Sequence, residues 1–296
     1  MKAALLDTVG GPERFVLGEV PDLPVGATDI SVKVVAVAVN PVDLETRSGF
    51  IDLTFPAVLG WDVAGVVTAV GDGVTLFRSG DRVIGMIAQP VHRYGTYAGQ
   101  VVADQSLFAS APVSIALENA AAIPLAGLTA RQALAELAVP EDARVLVTGG
   151  AGAVGRIAVQ LLRHQGHTVG AVVRDRDVEE LRALGAAWVS KLDRIDSRSW
   201  DAVFDTAGLA DSVDAVRDGG RFLSIDDNEQ PASQRGIMPL ESYVDENGKA
   251  LAELASAIDA GFLDVPVARS YGLADVGRAH TDFMAGGIRG KVLVIP

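Results

Sequence analysis

Apolar residues are spaced in two different ways along this chain. Up to about residue 115 they form short runs cut by Gly, Pro and Asp. The runs are Ala3–Leu6, Phe15–Val20, Ile30–Val39, Val63–Val70 and Arg82–Met86, and the breaks are Gly10-Gly11-Pro12, Pro24-Val25-Gly26 and Ser79-Gly80-Asp81. Strand-length runs between turn formers predict a β-rich domain, a partly open barrel. Ala120–Ala138 has helical spacing and stops before Pro140. From Arg144 the pattern changes to strands alternating with helices. Strands are predicted at Thr168–Val173, Ala202–Phe204, Arg221–Ile225 and Val265–Tyr271. Helices are predicted at Val178–Leu184, Asp211–Val216 and Lys249–Ala260. Such alternation predicts a doubly wound parallel sheet and an α/β protein. A helix over Ala274–Met284 and a strand over Val292–Ile295 close the chain, and the polar stretch Asp226–Asn247 reads as a mobile loop.

One junction in this pattern carries chemistry. Arg144–Gly155 runs from a β-branched strand into glycines at 149, 150, 152 and 155 and then into an apolar-striped helix. Gly150, Gly152 and Gly155 fit the spacing G-x-G-x-x-G, placed after a strand and before a helix as a dinucleotide-binding turn requires. In that reading Gly150 allows the tight turn, Gly152 lets backbone approach a pyrophosphate, and Gly155 lets the helix pack closely. The first amides of the following helix, which opens with Ala153, Val154 and Gly155, then meet the anion at a favourable dipole end. The end of the second strand separates the two nicotinamide dinucleotides, since an acid there binds a 2′-hydroxyl and an arginine a 2′-phosphate. Arg174 lies nineteen residues after Gly155 and Arg176 follows, with Asp175 between them. The planar guanidinium fork suits a phosphate, so the expected cofactor is NADPH.

Composition narrows the remaining classes. The net charge of −13 and the lack of a basic run argue against a nucleic-acid surface. No uninterrupted apolar stretch is long enough for a membrane span, and Met1–Leu6 lacks a secretory h-region, so a cytoplasmic protein is expected. Without cysteine there are no disulfides and no thiolate ligands. His92, His164, His167 and His280 show no ligand spacing. His164 and His167 read as a solvated helix end, and His280 as a helix residue at the domain junction.

A series of motifs resembles the medium-chain dehydrogenase/reductase superfamily, in its zinc-independent, zeta-crystallin-like quinone oxidoreductase branch. They are Met1-Lys2-Ala3, Asn40-Pro41-Val42-Asp43 with Arg47-Ser48-Gly49, Phe55–Gly85, Ala120–Leu134, the glycine turn, Phe204–Gly208 and Gly290-Lys291-Val292. The resemblance implies a GroES-like β-barrel domain over 1–118, a Rossmann domain over 119–264, and a segment, 265–296, that rejoins the first domain. It places the nicotinamide in the cleft between them and implies a homodimer paired through Rossmann sheet edges. Zinc-dependent members carry cysteine where this chain has Asn40, and Gly-His-Glu where it has Gly60-Trp61-Asp62, so no tetrahedral zinc site is expected.

The expected chemistry is hydride transfer from NADPH to a small-molecule acceptor that is already electrophilic, a quinone or an α,β-unsaturated carbonyl. The alternatives are an enoyl or 2-alkenal reductase of a biosynthetic pathway and a non-catalytic, redox-sensing NADPH-binding protein. By the resemblance Asn40 and Asp43 face the cleft. Asn40 contacts the nicotinamide ribose or the acceptor, or else caps the turn before Pro41; Asp43 moves a proton, or else braces the loop together with Arg47. Thr129 lies near the nicotinamide or is a plain helix hydroxyl, and Thr206 and Ala207 follow a strand's carboxyl end where such sheets bind ligands. Some relatives have a tyrosine where this chain has Ile51, which leaves Tyr94 and Tyr97 as phenols. Tyr97 is the candidate acid, with barrel packing as its other reading. Phe50, Phe55 and Trp61 would wall a planar acceptor, with core packing as the other reading for at least one of them.

Overall fold

The computed structural model describes residues 1–191, 194–226 and 230–296. Residues 227–229 of the irregular stretch Asp226–Asn247 therefore lie outside the described residues. The chain forms two compact units. The first comprises Met1–Leu125, Asp245–Gly261 and Val265–Pro296, and the second Ala126–Val244 and Phe262–Asp264. The division differs from the one expected: residues 119–125 and the helix at 248–259 go with the barrel.

The first unit opens with β1 (Lys2–Leu6), β2 (Phe15–Glu19) and the ten-residue β3 (Asp29–Ala38). The helix α1 (Pro41–Ser48) follows, then β4 (Ala57–Val58), β5 (Asp62–Val70), β6 (Arg82–Met86), β7 (Gln100–Asp104), β8 (Phe108–Ser110) and the single turn α2 (Leu117–Ala120). A small antiparallel sheet has the order β2-β1-β4. In the larger sheet β3 pairs antiparallel with β5 (Ile30↔Val70) and with β7 (Asp29↔Asp104). Valines, isoleucines and alanines from these strands fill one continuous core. Burial of this kind contributes about 25 cal/mol per Å² of apolar surface, the main term holding the barrel together.

The second unit begins inside α3 (Pro124–Leu137), whose first residue, proline, needs no hydrogen-bond acceptor for its nitrogen. There follow β9 (Arg144–Thr148), α4 (Ala153–His164), β10 (Thr168–Val172), α5 (Val178–Ala183), β11 (Trp188–Ser190), β12 (Trp200–Asp205), β13 (Val216–Ser224) and β14 (Leu240–Glu241). All six strands run parallel in the order β11-β10-β9-β12-β13-β14, reversing direction of travel at β9. The helix predicted at Asp211–Val216 is a 3₁₀ stretch, Ala210–Ala215.

The chain then returns to the first unit as α6 (Gly248–Asp259), β15 (Val267–Gly272), α7 (Val276–Met284) and β16 (Lys291–Ile295). Strand β16 pairs antiparallel with β3 (Leu293↔Ala38) and parallel with β15. Among the described residues no helix is long and apolar enough to cross a membrane.

Candidate functional site

The glycine turn lies at the carboxyl end of β9, where the strand order reverses and where open α/β sheets bind ligands. Only one of its glycines has left-handed backbone, and it is Gly149 (φ +61°), not Gly150 as the spacing had suggested. The tight turn thus begins one residue earlier. Gly150 is required by packing, since a Cβ there would stand 2.9 Å from the Ala171 methyl on β10. A Cβ on Gly155 would lie 2.9 Å from Gly150 Cα and closer still to the Gly149 carbonyl, so this glycine seats α4 on the turn. Gly152 is the open one: a Cβ there would meet only the Gly149 carbonyl, at 3.2 Å.

Gly152 is also the N-cap of α4, and no side chain caps the helix. The first intrahelical bond is donated by Arg156 N to Gly152 O, at 2.9 Å. The amides of Ala153, Val154 and Gly155 therefore have no acceptor within the helix. A bare glycine beside free amides at the positive end of a twelve-residue helix is the arrangement a pyrophosphate needs. A nicotinamide dinucleotide fits this cradle.

Side chains lock the neighbouring strand ends. Thr148 Oγ1 donates to Asp205 Oδ1, and Thr206 N donates back to Thr148 Oγ1 at 3.0 Å. Thr206 Oγ1 donates to Thr148 O at 2.7 Å, and Ala207 N to Asp205 Oδ1 at 3.2 Å. The Thr206 hydroxyl proton is thus committed to β9, which leaves its oxygen as an acceptor, while Ala207 is exposed. Thr129 is half-buried on α3. Arg174 and Arg176 stand exposed beyond β10, the latter with Nε 3.6 Å from Asp177 Oδ2.

In the first unit the structure gathers Asn40, Asp43 and Tyr97 into one buried polar cluster. Asn40 caps α1 through a capping box in which Asn40 N donates to Asp43 Oδ2 at 2.8 Å. Its side chain is fully used. Nδ2 donates to Asp62 Oδ2 (2.8 Å) and Ala38 O (3.3 Å), and Oδ1 accepts from Lys291 Nζ. Lys291 also lies 3.3 Å from Asp62 Oδ2, while Asp62 Oδ1 accepts from Leu125 N at 2.6 Å at the start of α3. The turn-capping reading of Asn40 accounts for its place at the start of α1.

Asp43 braces the loop through Asn40, but Arg47 is not its partner. The buried Arg47 donates through Nη2 to Met284 Sδ at 3.3 Å. Burial, with help from the nearby charge of Asp62, raises Asp43 to a pKa of about 7, against the pull of the Asn40 amide, Lys291 and the Tyr97 hydroxyl. Tyr97 is wholly buried, its hydroxyl 3.0 Å from His280 Nε2 and its ring edge-on to Phe15. Burial, and then the charge of Asp43, push the phenol well above its usual range. Burial, with Arg47 adding to it, lowers His280 to about 3. His280 is thus a buried, neutral residue of the barrel unit. The side chains of Tyr97 and Asp43 are both buried and hydrogen-bonded, the arrangement of the bracing and packing readings.

Of the three aromatic residues, Trp61 is buried at 8% exposure, in keeping with core packing, whereas Phe50 is 64% exposed. Reasoning from sequence missed Lys291, Asp62 and His280 as members of this cluster. The signal that could have found them was a lone lysine and a lone aspartate inside apolar strand runs, because buried charges there must be paired.

Residues 26–113 match the family described as alcohol dehydrogenase GroES-like domain, and residues 172–294 that described as zinc-binding dehydrogenase. The chain is 30% identical over 316 residues to an NADPH-dependent alkenal/one oxidoreductase, chloroplastic, of Arabidopsis thaliana, covering 100% of this chain and 80% of that protein. It is 28% identical over 319 residues to a quinone oxidoreductase of Pseudomonas aeruginosa, with 97% of each covered. Among solved structures, the quinone oxidoreductase from Coxiella burnetii superposes with a TM-score of 0.91 at 28% identity, covering 100% of this chain and 99% of that one.

Proposed function

Because the chain belongs to the medium-chain dehydrogenase/reductase superfamily, in its quinone oxidoreductase branch, we propose that it is an NADPH-dependent reductase of quinones or α,β-unsaturated carbonyls that works without zinc. The observation that carries this reading is the bare start of α4, where Gly152 and the amides of Ala153, Val154 and Gly155 suit a pyrophosphate. Gly149, Gly150 and Gly155 keep that turn in shape, Thr206 and Ala207 border it, and Arg174 and Arg176 supply cations for a 2′-phosphate. When bound, the nicotinamide supplies a hydride, and the protein's part is to exclude water and hold donor and acceptor together.

The residues present do not suit zinc. The chain has no cysteine, Trp61 offers no lone pair in its ring plane, and both polar atoms of the Asn40 side chain are engaged. An acceptor must therefore be electrophilic without Lewis-acid help. A quinone meets that condition and takes its protons from solvent, so it asks no proton of the buried Tyr97 and Asp43. A conjugated enone meets it as well, and full-length similarity to an alkenal/one oxidoreductase favours including it. The chain is also proposed to work as a homodimer in the cytoplasm.

The test is turnover. Purified protein with NADPH and either a simple quinone or a small enone should consume NADPH at 340 nm on at least one panel. Tight binding without turnover on either would replace the enzyme reading with a binding role, and no binding at all would overturn both.

A further inference from the structure

The corner of the parallel sheet beside the glycine turn contains a lysine to which nothing so far assigns a task. Strands β10 and β11 are parallel neighbours, in register at Val172↔Ser190, and Val173 N donates to Ser190 O at 3.0 Å. The residues just past each strand, Arg174 to Arg176 and Lys191, therefore emerge at the same corner. It is the end of the sheet at which β9, paired Thr148↔Val172 with β10, passes into the glycine turn. There Lys191 Nζ sits 2.6 Å from Asp175 Oδ2. Arg176 faces the buried Asp177, and Arg174, whose carbonyl accepts from Asp177 N at 2.9 Å, has an exposed side chain.

Asp175 is the one residue at this corner that favours the other dinucleotide. A free carboxylate at the end of the second strand accepts a ribose 2′-hydroxyl and repels a 2′-phosphate. Lys191 removes that preference. With it, three cations face two carboxylates and the corner is positive; without it the charges balance and Asp175 stands free. The pair is exposed on both sides, so it adds little to stability and rearranges easily. An ammonium has three donors and can keep Asp175 while donating to a phosphate held by Arg174.

We propose that Lys191, by holding Asp175, is the residue that sets the preference for a 2′-phosphorylated dinucleotide. This rests on the reading of the glycine turn as a nicotinamide dinucleotide site. Calorimetric titration of the full chain with NADPH and NADH tests it, in the wild type and in Lys191→Ala, Asp175→Ala and the double variant. Lys191→Ala should weaken NADPH by about tenfold, the size of one hydrogen bond between charged groups, and should tighten NADH. In the Asp175→Ala background the same substitution should cost NADPH less, because there is no carboxylate left to neutralise. An unchanged NADPH-to-NADH ratio in Lys191→Ala, or an equal cost in both backgrounds, overturns the role of Lys191. A wild type that binds neither nucleotide overturns the dinucleotide reading itself.

Discussion

Asp43 and His280 are two buried groups whose proton affinities are displaced in opposite senses. Asp43 takes up its proton more readily in the folded protein, at about 7 against an ordinary 3.8. Its contribution to stability is complete below 3.8 and is lost as the pH climbs towards 7. His280 holds its proton less readily, at about 3 against 6.5. Its contribution is complete above 6.5 and is lost as the pH falls towards 3. The two slopes, each at most about 1.4 kcal/mol per pH unit, oppose one another through the mildly acidic range. Urea unfolding should separate them. The stability difference between wild type and Asp43→Asn should shrink as pH rises from 4 to 7, and that between wild type and His280→Gln should grow from 3 to 6.5. Parallel pH profiles for all three proteins would show that neither group is displaced. Asn40 and Asp43 were legible in the sequence, which sets them in a short motif. It could not supply their partners, because Lys291 is 251 residues from Asn40 and no local pattern links them.

At the scale of elements, long apolar periodicity was the readable part. Strands β1, β2, β3, β5, β6, β9 and β10 lie within a residue or two of the runs that predict them. Helix α1 was missed because the residues it buries are Asp43, Thr46 and Arg47, so it carries no apolar stripe. The helix expected over Ala120–Ala138 starts later, since the chain breaks after the short α2 and α3 begins at Pro124. Asp62 caps that start through Leu125 N. In the glycine turn, spacing located the loop but could not distinguish a left-handed residue from a close-packed one. The distinction can be measured. Gly155→Val would drive a side chain into the turn, costing about 1–3 kcal/mol and abolishing nucleotide binding. Gly152→Ala, with open space beyond one carbonyl, should melt like wild type and bind the nucleotide more weakly. Equal binding by all three proteins in calorimetry would remove the turn from the site.

The whole molecule is two units threaded by one chain that leaves the barrel after Leu125 and returns twice, at Asp245 and Val265. The change of grammar near residue 115 falls ahead of the first departure, at Leu125. The return at Asp245 was not legible, because α6 has the amphipathic spacing of any helix that flanks a sheet. The expected homodimer also belongs to this scale. The parallel sheet ends in the two-residue β14, beside which Met238, Leu240 and Tyr243 are 76%, 43% and 67% exposed. Apolar side chains along a sheet edge are suited to self-association. Sedimentation equilibrium should therefore give twice the chain mass, and Leu240→Lys should give monomers; a monomeric wild type would end the proposal.

The late arrival of β16 also has a bearing on how the protein is made. During translation Asn40 and Asp62 leave the ribosome early, but their cation, Lys291, comes some 250 residues afterwards on the strand that completes the barrel's sheet. The six parallel strands, by contrast, are all synthesised by Glu241. The nascent chain thus carries a barrel with an open seam and an uncompensated buried acid while its nucleotide-binding half already has every strand it needs. The parallel-sheet unit is positioned to fold ahead of the barrel, whose closing strand follows it in the chain.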